Sequence, residues 1–471
     1  MRAIAVVCTL AVALLACMQI PGARSQPAPG SYSCAASPVV SYDLPADAAL
    51  PDQDNMNCLA WQEFIALNWR AAPGKNGQPD TSAPASAFGA PSATGAGPAT
   101  VWETYALNTD VFRTGALTPL PFQAAGRHRM LQAAMRQPAA AGGGDAQNQL
   151  SGILQAFSHG WLTAQNGQLT YYEVRLNEEE YDYIVANRLY DANAQWSAAQ
   201  SGVGIHLPDG SASGSVGAIE VKAAWLPLTD TAQYSNYLTA QASITDPVSG
   251  DTRDVVVGLV GLHIMHKTQL GQQFVWATFE HVDNAPTMNA LGGGPYTYYN
   301  TRCDPATDKY QCAVNTAPAC QGKGCDYAAP FQVVRQQPID ANTVALNAAT
   351  QSAIRAANPR SVMQYYQLVS TMWPSSSTTI RGAPLTPLTG GNPMPPTGTG
   401  GLANVTLETY QQRISDPSPN PHLSQPSCLA CHTTASISKM GVPAGWSKPI
   451  NYSSDYSFLF HMADVPTVRQ P

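Results

Sequence analysis

Charged residues are scarce in this sequence, and positive charge is nowhere concentrated. Only 12% of the 471 residues are Asp, Glu, Lys or Arg, and the formal net charge is −7. Binding to nucleic acid or to an anionic membrane surface needs a basic patch, because both surfaces are negatively charged. The composition therefore argues against nucleic acid and against an anionic membrane as partners.

Long apolar runs are also missing after the N-terminal region, where no stretch approaches the ~20 residues that span a bilayer. Residues 1–25 place one early positive charge, Arg2, before an apolar run and end on small residues ahead of Gln26. This order is typical of a secretory signal peptide. The residues before Cys17 resemble a lipoprotein cleavage box, so a lipid anchor at Cys17 is the alternative. The sequence predicts a periplasmic or secreted protein with no transmembrane helix.

One short motif near the C-terminus is typical of cofactor attachment. Cys428 and Cys431 are followed directly by His432, in the Cys-x-x-Cys-His pattern of c-type haem attachment. Two thiols at this spacing add to the two vinyl groups of one haem, and the histidine then serves as an axial iron ligand. A redox-active cysteine pair or half of a zinc site is the alternative, but zinc needs a second Cys/His pair, which the sequence lacks. The motif predicts one haem c per chain, with His432 bound to iron.

The other axial position of the iron has several candidates. Met440 lies eight residues after His432, and an extended chain of that length reaches about 27 Å, but any helical turn would shorten it too much. His461 and Met462 have a longer tether and lie in an apolar segment suited to covering a haem face. His422 precedes the motif in a Pro-rich run. A vacant or water-filled position, or a ligand from the rest of the chain, is the alternative.

Six cysteines remain outside the signal region and the motif. They are Cys34, Cys58, Cys303, Cys312, Cys320 and Cys325. In an oxidising compartment such thiols pair, so we expect three disulfides. Four of the six would staple a loop over 303–325 with two bridges, and Cys34 with Cys58 would tie down the N-terminal region. The spacing leaves the pairing open, and a four-cysteine metal site in the loop is the alternative.

Alternation of apolar and polar residues predicts that the centre of the chain is β-structure. The strand-like runs cover 169–176, 218–226, 237–245, 254–266 and 273–282. Short loops separate the last four runs, as in an antiparallel meander. Helical spacing predicts flanking helices over 54–69, after Asn177, over 340–356 and over 361–373. Asp54 or Asn55 is expected to cap the first helix, and Asn177 with Glu180 to form a capping box on the second.

These elements predict an α+β fold with a large β-rich body and a short haem-binding segment. The body covers 26–374, a Pro/Gly/Thr-rich linker covers 375–404, and the haem-binding segment covers 405–471. Its 67 residues are few for a free-standing haem domain. We therefore expect the haem to dock against the body. Four tryptophans are expected to pack in the core or against the haem rather than relay electrons: Trp61, Trp69, Trp102 and Trp276.

Histidines and carboxylates on two predicted strands are candidates for the haem pocket. His263 and His266 are three residues apart, so on a strand they point to opposite faces and cannot chelate one metal. His266 and His281 are candidates to lie across a hairpin from each other. His281, with Glu280 or Asp283, is a candidate proton donor or carboxylate partner in catalysis. Packed or hydrogen-bonded sheet residues are the alternative interpretation.

Three further stretches resemble a group of exported bacterial proteins in the cytochrome c family. They are Asn57 to Trp69, Trp276 to Asn284, and Asp455 to Leu459. With the haem motif they span most of the chain, and the resemblance implies one covalent haem without an established reaction. The chain departs from small soluble cytochromes c, which are mostly helical with a distal methionine much farther downstream. It also lacks the second Cys-x-x-Cys-His of di-haem peroxidases.

Three functions follow from a single haem on a β-rich body. Electron transfer with a periplasmic redox partner, through a six-coordinate haem, is the first. The second is an oxidoreductase with an open distal site, acting on peroxide, a nitrogen oxide or an organic substrate. Its layout is similar to that of cytochrome P460-type oxidases. The third is a haem-based gas sensor. We predict a redox role and place electron transfer first, although a carrier needs far less protein than this chain provides.

Overall fold

In the computed structural model, the described residues are 38–124, 129–131, 155, 160–304, 312–320, 324–373, 403–412, 428, 432, 435–442 and 452–467. Several predicted features therefore lie outside them. These are the signal peptide over 1–25, Cys17, Cys34, His422, Cys431 and nearly all of the predicted linker.

A single eight-stranded sheet organises the described chain. Its strands are β1 (Ala106–Leu107), β2 (Met130–Leu131), β3 (Tyr171–Leu176), β4 (Ile219–Pro227), β5 (Thr239–Thr245), β6 (Thr252–His266), β7 (Val275–His281) and β8 (Tyr366–Met372). The helices are α1 (Gln53–Leu67), α2 (Asn108–Val111), α3 (Glu178–Ala186), α4 (Ala192–Gln200) and α5 (Ala341–Ala357). Every strand pair is antiparallel except β2 with β5. The predicted α+β, β-rich class is confirmed.

The order of the central strands differs from the predicted meander. β6 pairs with β4 along one edge, and on the other edge with β5 at its N-terminal half and β7 at its C-terminal half. The hairpins β5–β6 and β6–β7 are therefore present, but β4 is next to β6 rather than β5. The reason is the connection from β4 to β5, which contains the 3₁₀ turn Thr231–Ser235 and is too long for a tight hairpin.

Two helix predictions are right in position and differ in detail. α1 begins earlier than expected, because Asp52 rather than Asp54 or Asn55 caps it and accepts from the Asn55 N–H at 2.9 Å. Asn177 caps α3 as predicted, accepting from the Glu180 N–H at 3.1 Å. The Glu180 carboxyl does not complete a capping box, because the Asn177 N–H donates to the Ile219 carbonyl at 3.0 Å instead.

The helix predicted over 361–373 is wrong. The segment forms a short 3₁₀ turn, Val362–Tyr365, followed by strand β8, which pairs with β7. Both faces of β8 carry buried residues, so its apolar residues do not alternate cleanly, and a short apolar run of this kind is ambiguous between strand and helix. The free edge of β7 decides the outcome, because pairing satisfies the backbone of both strands.

α1 covers one face of the sheet, here called the helix face. Phe64 stacks on Phe279 of β7 with ring centroids 4.4 Å apart, and Trp61 meets the same ring edge-on at 5.0 Å. Such aromatic pairs contribute ~0.5–1.5 kcal/mol beyond their buried area. The Trp61 indole N–H donates to Asn347 of α5 at 2.9 Å, which joins both helices to the sheet. Trp61 is thus a core residue, as expected.

The opposite face, here called the tail face, is covered by the C-terminal part of the chain. Lys222 is paired with His263, and His263 with Thr278, so the three lie side by side on β4, β6 and β7. They project from the tail face because Thr278 directly precedes Phe279 on its strand. The Asn404 amide donates to the Thr278 hydroxyl at 2.9 Å, which places residues 403–412 on this face.

A buried ion network ties the neighbouring strands together. Glu173 of β3 accepts from Arg129 at 2.9 Å, from Arg175 at 3.1 Å and from the Trp225 indole at 2.8 Å. Arg129 also pairs with Glu103 at 3.0 Å and lies 4.4 Å from the Trp225 ring centroid. All five side chains are buried. Pairing of each charge with an opposite charge is what makes so much charge tolerable in the core.

No helix in the described part of the chain has both the length and the apolar character needed to cross a membrane.

Candidate functional site

His432 of the haem-attachment motif lies on the tail face of the sheet. Its imidazole ring packs against Trp276 of β7 at 4.2 Å and against Phe458 at 4.7 Å, measured between ring centroids. Cys428 and His432 are each half-buried and helical. The contact with Trp276 joins His432 to the main sheet. The expectation that the haem docks against the body stays a prediction.

A single hydrogen bond orients the imidazole. The Nδ1–H of His432 donates to the carbonyl oxygen of Tyr456 at 2.7 Å, because a carbonyl only accepts. In a neutral ring the other nitrogen, Nε2, then carries the lone pair. Burial lowers the pKa of His432 to about 3, and the neighbours Lys222 and His263 lower it further, whereas the hydrogen bond to the Tyr456 carbonyl raises it. The ring is therefore neutral at physiological pH, as metal binding requires.

The carbonyl of Tyr456 is presented by a constrained turn. Asp455 and Tyr456 have φ values of 56° and 68°, in the left-handed region that costs a non-glycine residue ~1–3 kcal/mol. Asp455 is held in place by the ammonium of Lys267 and by the Leu207 N–H, the latter at 2.8 Å. These bonds to the body offset the strain and hold the carbonyl against His432.

A polar group lies beside His432 on the same face. His263 Nε2 and Glu408 Oε1 are 2.8 Å apart, with side chains 13% and 21% exposed. Burial would raise the pKa of Glu408, but the charge and hydrogen bond of His263 outweigh it and lower that pKa. Lys222 acts electrostatically on both Glu408 and His432. The three side chains thus form an acid–base group open to solvent next to the motif histidine.

His266 and His281 lie elsewhere. His266 is buried on the helix face, with Nδ1 at 2.5 Å from Glu63 of α1 and Nε2 at 2.5 Å from the Val216 carbonyl. His263 and His266 point to opposite faces, as predicted. The expectation that His266 and His281 lie across a hairpin is wrong. His266 pairs with Val275 at one end of the hairpin, and His281 lies at the other, ~20 Å along the strand.

His281 and Glu280 occupy structural positions in the sheet. His281 stacks on Tyr237 with centroids 4.1 Å apart and bonds to the Asn236 carbonyl at 2.9 Å. Burial lowers the pKa of His281 to about 4. Glu280 is ion-paired with Arg335 and accepts from the Val405 N–H at 3.2 Å. The alternative interpretation, packed and hydrogen-bonded sheet residues, describes both.

The distal-ligand candidates lie in two C-terminal turns. Met440 is 54% exposed in the turn Lys439–Gly441. The sulfur of Met462 accepts from the Asn108 amide at 3.4 Å, and His461 is half-buried in the same turn, Leu459–Met462. These contacts occupy Met462 and leave Met440 facing solvent. The identity of the second axial ligand stays a prediction.

The cysteines of the stapled loop are paired. Cys303 with Cys312, and Cys320 with Cys325, form disulfides, each with Cα atoms 5.7 Å apart. The alternative of a four-cysteine metal site in this loop is therefore wrong. Cys58 is also disulfide-bonded. Among the described residues, no cluster of three or more His, Cys, Asp or Glu side chains is arranged to hold a metal ion.

Several residues of this site were absent from the sequence predictions. Lys222 and Glu408 have no local signal, because only strand register and the fold of 403–412 bring them to His432. Tyr456 lies in one of the stretches that carry the family resemblance, which was the available clue. Lys267 directly follows a predicted strand and carries no motif.

No protein-family model, curated protein or solved structure matches this chain. The resemblance to exported proteins of the cytochrome c family, and the haem that it implies, therefore stay predictions. The arguments for them are the motif and the geometry around His432.

Proposed function

We propose that this chain is a c-type haem protein with a redox role, in which one haem c held by Cys428, Cys431 and His432 transfers electrons to or from a periplasmic partner. The observation that supports the proposal most is the hydrogen bond from His432 Nδ1 to the Tyr456 carbonyl. It leaves Nε2 as the nitrogen able to bind iron. Histidine ligands of metals commonly donate their other N–H in this way, which fixes the ring and raises its basicity.

The surroundings of His432 fit a haem. Its ring packs against Trp276 and Phe458, which shield part of the imidazole from water. Its low pKa keeps it neutral without competition from protons. When bound, the haem supplies a reversible one-electron couple. The chain's own part is to hold the imidazole at one angle and to place that couple in a largely apolar environment, which tunes its potential.

The disulfides support an extracytoplasmic location. Pairing of Cys303 with Cys312 and of Cys320 with Cys325 is typical of an oxidising compartment, and c-type haem is attached in such a compartment in bacteria. We therefore place the protein in the periplasm or outside the cell, with a lipid anchor at Cys17 as the alternative to a cleaved signal peptide.

The group of Lys222, His263 and Glu408 favours redox catalysis as the second candidate. A histidine oriented by a carboxylate is suited to moving a proton to or from a substrate. The partial exposure of His263 and Glu408 gives a small substrate access to them. Of the catalytic candidates named from the sequence, His263 is therefore the one with support, acting on peroxide, a nitrogen oxide or a small organic substrate.

The test is covalent haem retention on a denaturing gel after expression with cytochrome c maturation. We expect the full-length chain to stain for haem, and the double variant Cys428→Ala/Cys431→Ala to lose the stain. The matched control, Cys303→Ala/Cys312→Ala, also removes two thiols but leaves the motif intact and should keep it. Haem stain in the first double variant, or none in the unaltered chain, overturns the proposal.

Absorption spectra then separate the two candidates. A sharp low-spin reduced spectrum that carbon monoxide leaves unchanged means that both axial positions are filled, as electron transfer favours. A high-spin spectrum that shifts with carbon monoxide means an open iron and supports catalysis.

A further inference from the structure

Two buried carboxyl groups meet behind the turn that positions His432. Glu180 of α3 is fully buried, and Glu220 of β4 is 4% exposed. The two carboxyl groups interact electrostatically, and Glu220 lies beside Ser457. Among the described residues, both oxygens of Glu180 and Oε1 of Glu220 have no hydrogen-bond partner. Two neighbouring carboxylates buried without donors are strongly unfavourable when both are ionised, so one of them keeps a proton. The pair therefore holds at least one proton.

The charges around the pair do not neutralise it. Among the residues that the structure describes, neither oxygen of Glu180 has a hydrogen-bond partner. The nearby cation, Lys267, is bound to Asp455. Burial, followed by the neighbouring carboxyls including Asp455, raises the pKa of Glu180 well above its usual range. Three carboxyl groups thus share one ammonium.

The remaining charged groups near the cluster have other partners. Glu179, the neighbour of Glu180 on α3, accepts from the Val216 N–H at 2.9 Å. Lys222 follows Glu220 on the same face of β4 and acts on His432 and Glu408. Asp209 acts on Lys267, and Tyr183 lies within electrostatic reach of Asp455. The protonation state of the Glu180–Glu220 pair is therefore the charge in this cluster that is able to change.

One turn connects this cluster to the motif histidine. Asp455 and Ser457 flank Tyr456, so the groups that bind Lys267 and Glu220 are the chain neighbours of the carbonyl that accepts from His432. All these side chains except His432 are buried. Charges in such an environment interact over longer distances than in water, because the effective dielectric constant is lower.

We propose that the Glu180–Glu220 pair is a proton-binding site coupled to the oxidation state of the haem. The inference rests on the function proposed above. With a haem held by Cys428, Cys431 and His432, one electron from a one-electron donor protein would lower the charge of the site by one. One proton from solvent then binds the remaining carboxylate of the pair and converts it to a carboxylic acid, so the charge of the buried region is conserved. Reoxidation releases the proton.

The pH range of this exchange is physiological. Burial raises the pKa of Glu220 to about 7, although its interactions with Ser457 and Glu180 oppose the shift. Reduction makes the surroundings more negative and raises the affinity for the proton further. The haem potential is therefore expected to fall as pH rises through the neutral range, because the oxidised form releases the proton first.

The experiment is a spectroelectrochemical titration of the full-length, haem-loaded protein from about pH 5 to about pH 9. One proton per electron changes the reduction equilibrium tenfold per pH unit, a slope of ~59 mV. We expect a slope approaching this limit near neutral pH, and its loss in Glu220→Gln. The control Asp182→Asn removes one carboxyl group at an exposed position of α3, the helix that carries Glu180, and should keep the slope.

Each outcome has one meaning. A chain without covalent haem overturns the proposed function and this inference together. A haem-loaded protein whose potential is flat with pH, or whose slope survives in Glu220→Gln, overturns the inference alone. If Glu220→Gln does not fold, redox-difference infrared spectra of the unaltered protein decide. A carboxylic acid carbonyl band must appear on reduction near neutral pH, and its absence overturns the inference.

Discussion

Glu173 is the centre of the buried ion network, and its replacement by glutamine tests how that network stabilises the fold. The substitution keeps the size of the side chain and removes the charge that accepts from Arg129, Arg175 and Trp225. Both guanidinium groups then keep only part of their pairing. A buried charge that loses its partner is strongly destabilising.

The magnitude follows from the pKa of Glu173. Burial would raise that pKa, but the positive charges of Arg129 and Arg175 outweigh it and lower the pKa from 4.5 to about 2. At ~1.4 kcal/mol per pKa unit, ionised Glu173 contributes about 3 kcal/mol to the free energy of unfolding at neutral pH. Because the folded-state pKa is depressed, this contribution is complete above the unfolded-state pKa and disappears as pH falls through about 2.

Urea unfolding followed by tryptophan fluorescence measures both the size and the pH dependence. We expect Glu173→Gln to lose about 3 kcal/mol at neutral pH and less than half of that at about pH 3. Asp182→Asn, on the surface of α3, should stay within ~0.5 kcal/mol of the unaltered chain. A deficit that is absent at neutral pH, or equal at both pH values, would refute the assignment of the stabilisation to the ionised carboxylate.

Three further predictions concern the tail face. Gly261→Ala places a Cβ against the Thr406 hydroxyl and 3.1 Å from Asn404 Oδ1. Calorimetry should therefore show a loss of ~1–3 kcal/mol in the free energy of unfolding, and an unchanged melting temperature would contradict this prediction. Met440→Leu should leave the reduced haem spectrum unaltered, because the side chain is 54% exposed; a spectral shift would make Met440 a ligand. If the protein is a redox enzyme, His263→Gln should lower peroxide turnover ~10²–10⁴-fold while haem retention stays intact. Unchanged turnover would exclude His263 as the proton-transfer residue.

Sequence patterns predicted most central strands and one long helix because those elements depend on local periodicity. β4 was expected over 218–226 and lies at Ile219–Pro227, and α5 was expected over 340–356 and lies at Ala341–Ala357. β8 was missed because its apolar residues face buried surroundings on both sides. Strand order was missed because it depends on how a long connection crosses the sheet, which periodicity does not encode.

The residues of the candidate site also divide into those that local sequence patterns predict and those that only the fold brings together. His432 could be proposed from the sequence because the motif consists of residues adjacent in sequence, and its role as an iron ligand stays a prediction. Lys222 and Glu408 were not found, since only the register of β4 with β6 and the fold of 403–412 bring them close. Of the histidines on the two strands, the alternation of side chains separated His263 from His266 correctly. It could not tell which of the two faces the motif would occupy.

The β-rich body is larger than an electron carrier alone needs, and its contacts with the motif segment offer a physical explanation for its size. The motif segment is short, and the described part of it relies on the body for the environment of His432. β7 supplies Trp276, and the residue after β6, Lys267, holds the strained turn that presents the Tyr456 carbonyl. Glu220 of β4 contacts the same turn through Ser457. If the proposed haem binds at His432, a body that sets the geometry of that histidine and the local charge from three strands would not be surplus to the proposed redox role, because both quantities determine a haem potential.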